Sequence, residues 1–321
     1  MPFKVDPEVQ AILTKLTGGK HGEKLPIGDI QSRREGTTKV GLALFSKLPT
    51  HPEVEIKDFH TTAKDGTSIL LRWYSKKNSQ ASPGPAVLFI HGGGMIIGHV
   101  PMFDRSLGDY VSASGVPFLS VEYRLAPEAQ YPVLVEDIYA GLTWLYEHAA
   151  ELGVNPKRIA VMGESAGGGL AAAVTLLARE RGGPAVAKQI LVYPMLDDRT
   201  VEEDPKTSPF LIWTAADNIT GWGAMLGPLY GMEKIPETAA AARMSDAKGL
   251  PPTYIEVGEL DLFRDEDLDF AGRLWKEGIN TELHVRRGCM HAFDILAAES
   301  AVAKRAMVDR NAAITSIDEI Q

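Results

Sequence analysis

Two rhythms of apolar residues divide this chain. Up to about residue 50, apolar positions recur three and four apart, the spacing of one helix face. Val9, Ile12, Leu13 and Leu16 share such a face behind Asp6 and Pro7, so a helix is predicted over 6–16, closed by Gly18 and Gly19. A second helix is predicted over about 30–46, with Val40, Leu42, Leu44 and Phe45 placed for burial. From residue 54 the rhythm shortens to alternation. Segments 54–61 and 68–74 alternate apolar and polar around Asp65-Gly66, which predicts an antiparallel pair. Segment 86–91, Ala-Val-Leu-Phe-Ile-His, is instead an almost unbroken apolar run, as a strand covered on both faces requires. Further strands are predicted at 118–123, 159–162, 189–193, 253–257 and 281–285, with helices such as 133–147, 170–178 and 267–276 between them. This order predicts an α/β fold with a mainly parallel, eight-stranded sheet flanked by helices.

The interval 194–251 breaks the alternation. It holds Phe210, Leu211, Ile212, Trp213, Trp222, Met225 and Leu226. A structureless loop of that length is uncommon, so the interval is predicted to form helices of its own. It follows the C-terminal end of a strand, the side on which open α/β sheets bind ligands. Together with the N-terminal helices it reads as a lid.

The same side gathers the candidate chemistry. Gly163-Glu164-Ser165-Ala166-Gly167 spells G-x-S-x-G between a predicted strand and a predicted helix. A serine in so sharp a turn needs small neighbours, and its hydroxyl then projects at a helix N-terminus where negative charge is favoured. The alternative is a helix entry that is merely rich in Gly, Ser and Ala; the flanking strand and helix argue against it. Such a serine needs a base, an acid to orient the base, and donors for an oxyanion. Among eight histidines, His21 and His51 precede the sheet, His60 and His284 lie in strands, and His148 lies on a helix. His291 follows the last strand among small and flexible residues and is preferred over His99. Of the acids after the preceding strand, Asp261 lies in the loop proper and is chosen, with Glu259 second. Asp265, Glu266 and Asp267 stand where a helix begins, and capping accounts for them. Backbone N–H groups of Gly92, Gly93 and Ala166 are the predicted oxyanion hole. His91 is expected to brace the glycine loop. That loop has neither the Lys-Ser/Thr of a P-loop nor dinucleotide-binding phasing.

Composition narrows the classes further. Hydrophobic residues make up 45% and charged residues 23%, enough for a substantial core. Thirty-three basic against 42 acidic residues give a net charge of −9, which argues against a nucleic-acid surface or a basic membrane patch. Cys289 is the single cysteine, so no intrachain disulfide forms and a reducing, cytoplasmic setting fits. No signal peptide or membrane span is expected. No metal motif is present, and no metal or cofactor is expected.

Four motifs together resemble one family. His91-Gly92-Gly93-Gly94, Tyr123-Arg124-Leu125-Ala126-Pro127-Glu128, Gly163-Glu164-Ser165-Ala166-Gly167-Gly168 and Tyr193-Pro194 are similar to those of the hormone-sensitive-lipase-like carboxylesterases of the α/β-hydrolase fold. The resemblance runs from about residue 54 to 293. It implies Ser165 as nucleophile, Asp261 as acid, His291 as base, and Gly92, Gly93 and Ala166 as the oxyanion hole. It also implies a small-molecule substrate, namely short-chain acyl esters, with no cofactor, and often dimers paired through the last strand. Residues 1–50 and about 197–250 would correspond to the family's helical cap, on a catalytic domain of 51–321. Two residues depart from the usual pattern. Leu262 stands where the family has proline, so a less rigid turn is expected. Ala292 stands where it has glycine, so no positive φ is expected there. The same triad acting on a lactone or amide, and a non-catalytic receptor on this fold, are the remaining alternatives.

Overall fold

The strands are β1 (Val54–Thr62), β2 (Ser68–Lys76), β3 (Gly84–Ile90), β4 (Phe118–Val121), β5 (Val154–Glu164), β6 (Lys188–Val192), β7 (Thr253–Gly258) and β8 (Thr281–Arg286). They form one eight-stranded sheet in the order β1-β2-β4-β3-β5-β6-β7-β8. β1 pairs antiparallel with β2, and β2 with β4; every later pairing is parallel. The computed structural model describes residues 3–18, 24–77 and 83–320, so Gly19 and His21 lie outside the described residues.

The helices are α1 (Pro7–Thr17), α2 (Ile30–Phe45), α3 (Asp104–Ser114), α4 (Val133–Glu147), α5 (Ala166–Arg181), α6 (Ala215–Leu226), α7 (Arg264–Lys276), α8 (Phe293–Leu296) and α9 (Ala301–Thr315). Strand residues of opposite parity feed two cores. Leu88, Ile90, Val161 and Leu191 pack with Ile138 and Leu142 of α4, Leu170 and Val174 of α5, and Phe270 of α7. Val87, Phe89, Met162 and Ile190 pack with Leu107 and Tyr110 of α3 and Ile314 of α9. Helices on both faces explain why the central strands carry apolar residues on both of their faces. The strand order reverses beside β3, since the chain moves outward to β4 and then returns across it to β5. The C-terminal ends of β3 and β5 therefore lie side by side at a topological switch point.

The interval after β6 does fold on itself, as α6 and short 3-10 turns at Ser208–Phe210, Gly227–Leu229 and Ala241–Arg243. It is tied to the N-terminal segment. Gly28 N–H donates to Thr220 Oγ1 at 2.9 Å, and buried Arg33 pairs with Asp217 at 2.8 Å. Asp6 caps α1 as its position suggested, accepting from the amides of Glu8 and Val9. The burial pattern of α2 differs from expectation. Phe45 is buried, but Val40 is 55% and Leu42 46% exposed. Gly41 is the point of closest approach, against the Met102 methyl, so positions 40 and 42 are turned about 100° to either side.

Tight packing of α5 onto the sheet makes a clean prediction. A Cβ at Gly169 would overlap the Met195 carbonyl, whereas one at Gly272 on α7 meets nothing within 4 Å. Gly169→Ala is expected to destabilise by several kcal/mol, on the order of other overpacking changes. Gly272→Ala should stabilise by up to about 1 kcal/mol. Urea midpoints of the two variants measured beside the wild type check both signs.

Candidate active site

β5 ends at Glu164 and α5 begins at Ala166, so Ser165 alone turns the chain. It does so at φ 57° and ψ −123°, a conformation few non-glycine residues adopt. Surrounding hydrogen bonds hold it there. Ser165 N–H donates to the Val192 carbonyl at 2.9 Å, and the Ser165 carbonyl accepts from Gly169 at 3.1 Å and Met195 at 3.0 Å. A Cβ at Gly163 would overlap the Gly167 carbonyl, and one at Gly167 the carbonyl of Ile90. The glycines of the motif are thus required by backbone meeting backbone.

Ser165 Oγ lies 2.8 Å from His291 Nε2, and His291 Nδ1 lies 2.8 Å from Asp261 Oδ2. Asp261 and His291 are both buried. A carboxylate only accepts, so Nδ1 carries the proton and Nε2 is left to accept from the serine hydroxyl. The second oxygen of Asp261 accepts from Phe263 N–H at 3.1 Å, which secures the turn that Leu262 was expected to loosen. The imidazole is wedged edge-on between Tyr193, with ring centroids 4.7 Å apart, and Phe263, at 5.2 Å. Phe263 carried no signal in the sequence beyond its apolar character. Ala292 overturns one expectation. Its φ is 55°, in the left-handed region, so the turn after His291 does take the conformation that glycine would ease. Its carbonyl accepts the first bonds of α8, from Ile295 and Leu296, and this pins the turn despite the Cβ.

The glycine loop after β3 lies against this serine. A Cβ built on Gly92 would stand 3.2 Å from the Ser165 Cβ. Among the described residues, no protein acceptor engages the N–H groups of Gly92, Gly93 or Ala166. His91 is wholly buried and stacked between Tyr123 and Phe103. Burial pushes its imidazole down to about 4, so it is neutral and donates from Nδ1 to the Gly92 carbonyl at 2.8 Å. Trp213, from the segment before α6, packs its ring over Gly94. His99, the rival base, instead begins the 3-10 turn at Val100–Phe103. Among the described residues, no group of three or more His, Cys, Asp or Glu side chains is gathered as metal ligands. None of their helices is long and apolar enough to cross a membrane.

The profile of a family described by the α/β hydrolase fold matches residues 87–295. The carboxylesterase NlhH of Mycobacterium tuberculosis is 34% identical over 262 residues, covering 79% of this chain and 82% of that one. An ethyl acetate hydrolase of Pseudomonas putida is 28% identical over 299 residues, covering 91% and 92%. A solved bacterial heroin esterase superposes with a TM-score of 0.87 at 35% identity, over 97% of each chain. The chain belongs to the hormone-sensitive-lipase-like family of α/β hydrolases. Its enzyme class is that of these relatives, the carboxylic ester hydrolases.

This α/β hydrolase buries more acid around the site than capping would need. Glu259, the second choice as orienting acid, is turned away and accepts from Gly288 N–H at 2.8 Å. Asp265 is exposed beside Arg264, as a residue in a first helical turn can be. Glu266 and Asp267 are not. Glu266 is buried and accepts from Leu196 N–H at 2.7 Å, Asp197 N–H at 3.2 Å and the Thr200 hydroxyl. It ties the loop after β6 to α7, and burial pushes it up to about 8. Asp267 is fully buried, and neither of its oxygens has a partner among the described residues. In both corrections the side chain turns inward from the first turn of α7, Glu266 onto the loop after β6 and Asp267 into the interior, while Asp265 alone meets water. Glu164 is buried too, accepting from Tyr110 O–H at 3.2 Å. Burial, with the Asp294 charge, pushes it up to about 7.

Burial, then Glu266 and Asp261, raise Asp267 well above the ordinary carboxyl range. Folding therefore keeps a proton that the unfolded chain releases near pH 4. The stability this proton brings is fully present below that pH. It is lost as pH rises toward the folded value, at about 1.4 kcal/mol per unit. Asp267→Asn should match the wild type at pH 4 and be the more stable of the two by pH 8, the gap opening as pH rises above the ordinary carboxyl value. Thermal midpoints across that range measure the difference.

Proposed function

We propose that this enzyme hydrolyses short-chain acyl esters through an acyl-enzyme on Ser165. The carrying observation is the unbroken chain Asp261–His291–Ser165, with both links at 2.8 Å, beside the unengaged amides of Gly92, Gly93 and Ala166. His291 takes the Ser165 proton as Oγ attacks the ester carbonyl. The oxyanion that forms is held by the three amides, each worth roughly 3 kcal/mol by analogy with side-chain donors. His291 then protonates the leaving alcohol, and water activated by His291 releases the acid. Asp261 keeps Nδ1 protonated and stabilises the imidazolium. The short-chain preference draws on the relative that takes ethyl acetate.

Residues 1–50 and about 197–250 are proposed to cap the catalytic domain. The Gly28–Thr220 and Arg33–Asp217 contacts, and Trp213 over Gly94, support that reading. A homodimer through β8 is also proposed, because β8 ends the sheet and leaves Val285 exposed, and Trp275 of α7, which donates to the Thr281 carbonyl of β8, is exposed too.

Hydrolysis of p-nitrophenyl butyrate by the wild type and by folded Ser165→Ala tests the central reading. The variant should lose about 10⁴-fold or more in kcat, and equal activity of the two would sink the assignment. For the dimer, light scattering should give twice the chain mass for wild type and the single mass for Val285→Asp. A wild type of single mass at micromolar concentration would refute it.

A further inference from the structure

Helix α9 carries none of the motifs, yet its Arg310 is 0% exposed and reaches all three arms of the site. Nη1 donates to Asp294 at 2.5 Å and to the Tyr110 hydroxyl at 3.1 Å, while Nε donates to Glu256 at 3.0 Å. Nη2 bonds Glu256 as well, and Met307 Sδ lies 3.7 Å from Nη1. Each partner leads to a reacting residue. Tyr110 in turn donates a hydrogen bond from its hydroxyl to Glu164, the residue before Ser165, at 3.2 Å. Asp294 follows His291 by three positions, and its other oxygen accepts from Tyr193 O–H at 3.1 Å. Tyr193 is the ring set edge-on to the His291 imidazole. Glu256 stands on β7, the strand that leads into Asp261.

We propose that Arg310 is a positioning residue for ester hydrolysis. Its guanidinium sets the Ser165 turn, through Tyr110 and Glu164, against the His291 loop, through Asp294 and Tyr193. This rests on the triad reading above. Arginine suits the task because its planar fork fixes the directions of its donors, which the single ammonium of lysine does not. A buried ion cluster is weak as a source of stability, since apolar side chains of similar volume often replace one without loss. What it imposes is direction. Displacing one reacting group by about 1 Å costs on the order of 100-fold in rate.

Arg310→Lys strips donors from several buried carboxyls at once and risks unfolding, so the decisive test uses gentler cuts. Tyr110→Phe removes one hydroxyl on the serine arm, and Asp294→Asn removes one charge on the histidine arm. Both singles, the double and the wild type are assayed on p-nitrophenyl butyrate as full chains, with thermal midpoints. Each single should lower kcat by about tenfold with KM within about twofold. The double should lose no more than the worse single, because both cuts sever one linkage. Losses that multiply in the double overturn the proposal. So does unchanged kcat in folded singles with lowered midpoints, which would mark a purely structural cluster. If the wild type turns over and Ser165→Ala does not, either result leaves the triad reading standing. An inert wild type overturns both readings.

Discussion

Backbone contact between the turn at Ser165 and the end of β3 is the constraint on which the working side of this molecule depends. The Gly167 Cα sits against the Ile90 and His91 carbonyls, and Gly92 against the Glu164 carbonyl. No side chain larger than hydrogen fits at either place. The switch in strand order beside β3 is what brings these two ends together. Once they touch, the serine hydroxyl, the start of α5 and the free amides of the glycine loop occupy one small region. Pre-set dipoles of that kind need no reorganisation as charge develops, and this is where they gain most over water.

The second requirement is to hold an imidazole in line with that serine from a loop far along the chain. Asp261 fixes the tautomer, and Tyr193 and Phe263 fix the ring plane. Behind them lies a buried layer of charge: Glu164, Glu256, Asp294 and Arg310. Burial alone would raise Glu256, yet Arg310 and Arg286 outweigh it and hold that carboxyl below its ordinary value. Among the described residues the side chain of Glu164 has only a phenol as direct partner, and it goes the other way. Neighbouring buried acids thus take opposite protonation behaviour according to whether a guanidinium reaches them.

Much of this was legible in the residues. Alternation located the antiparallel pair and apolar runs the central strands, which are covered on both faces, although β5 begins at Val154, five residues before its apolar run. The spacing of G-x-S-x-G singled out Ser165, and its place after the last strand singled out His291. Asp261 was separable from Glu259 only by its position in the loop. Other features were opaque. Arg310 sits in α9, where apolar and polar positions are poorly separated along the sequence, and that pattern does not distinguish it from an exposed arginine. Glu266 and Asp267 have the spacing of first-turn acids, the commoner reason for carboxylates there. Val40 and Leu42 obey a helical period, but which face turns inward depended on Gly41 meeting Met102. Ala292 has the composition of a residue with negative φ, and only the closing of α8 shows otherwise.

The division has a physical basis. Strand positions, the glycine-flanked serine and the order of the candidate triad follow from local sterics and from hydrophobic period. Both act over a few residues and are written in the residues themselves. Which carboxyls are buried, which guanidinium reaches them, and which rings clamp the imidazole are decided by contacts between segments up to 200 positions apart, as Tyr110 and Arg310 are. Those depend on how layers close over the sheet, and only the folded chain specifies that.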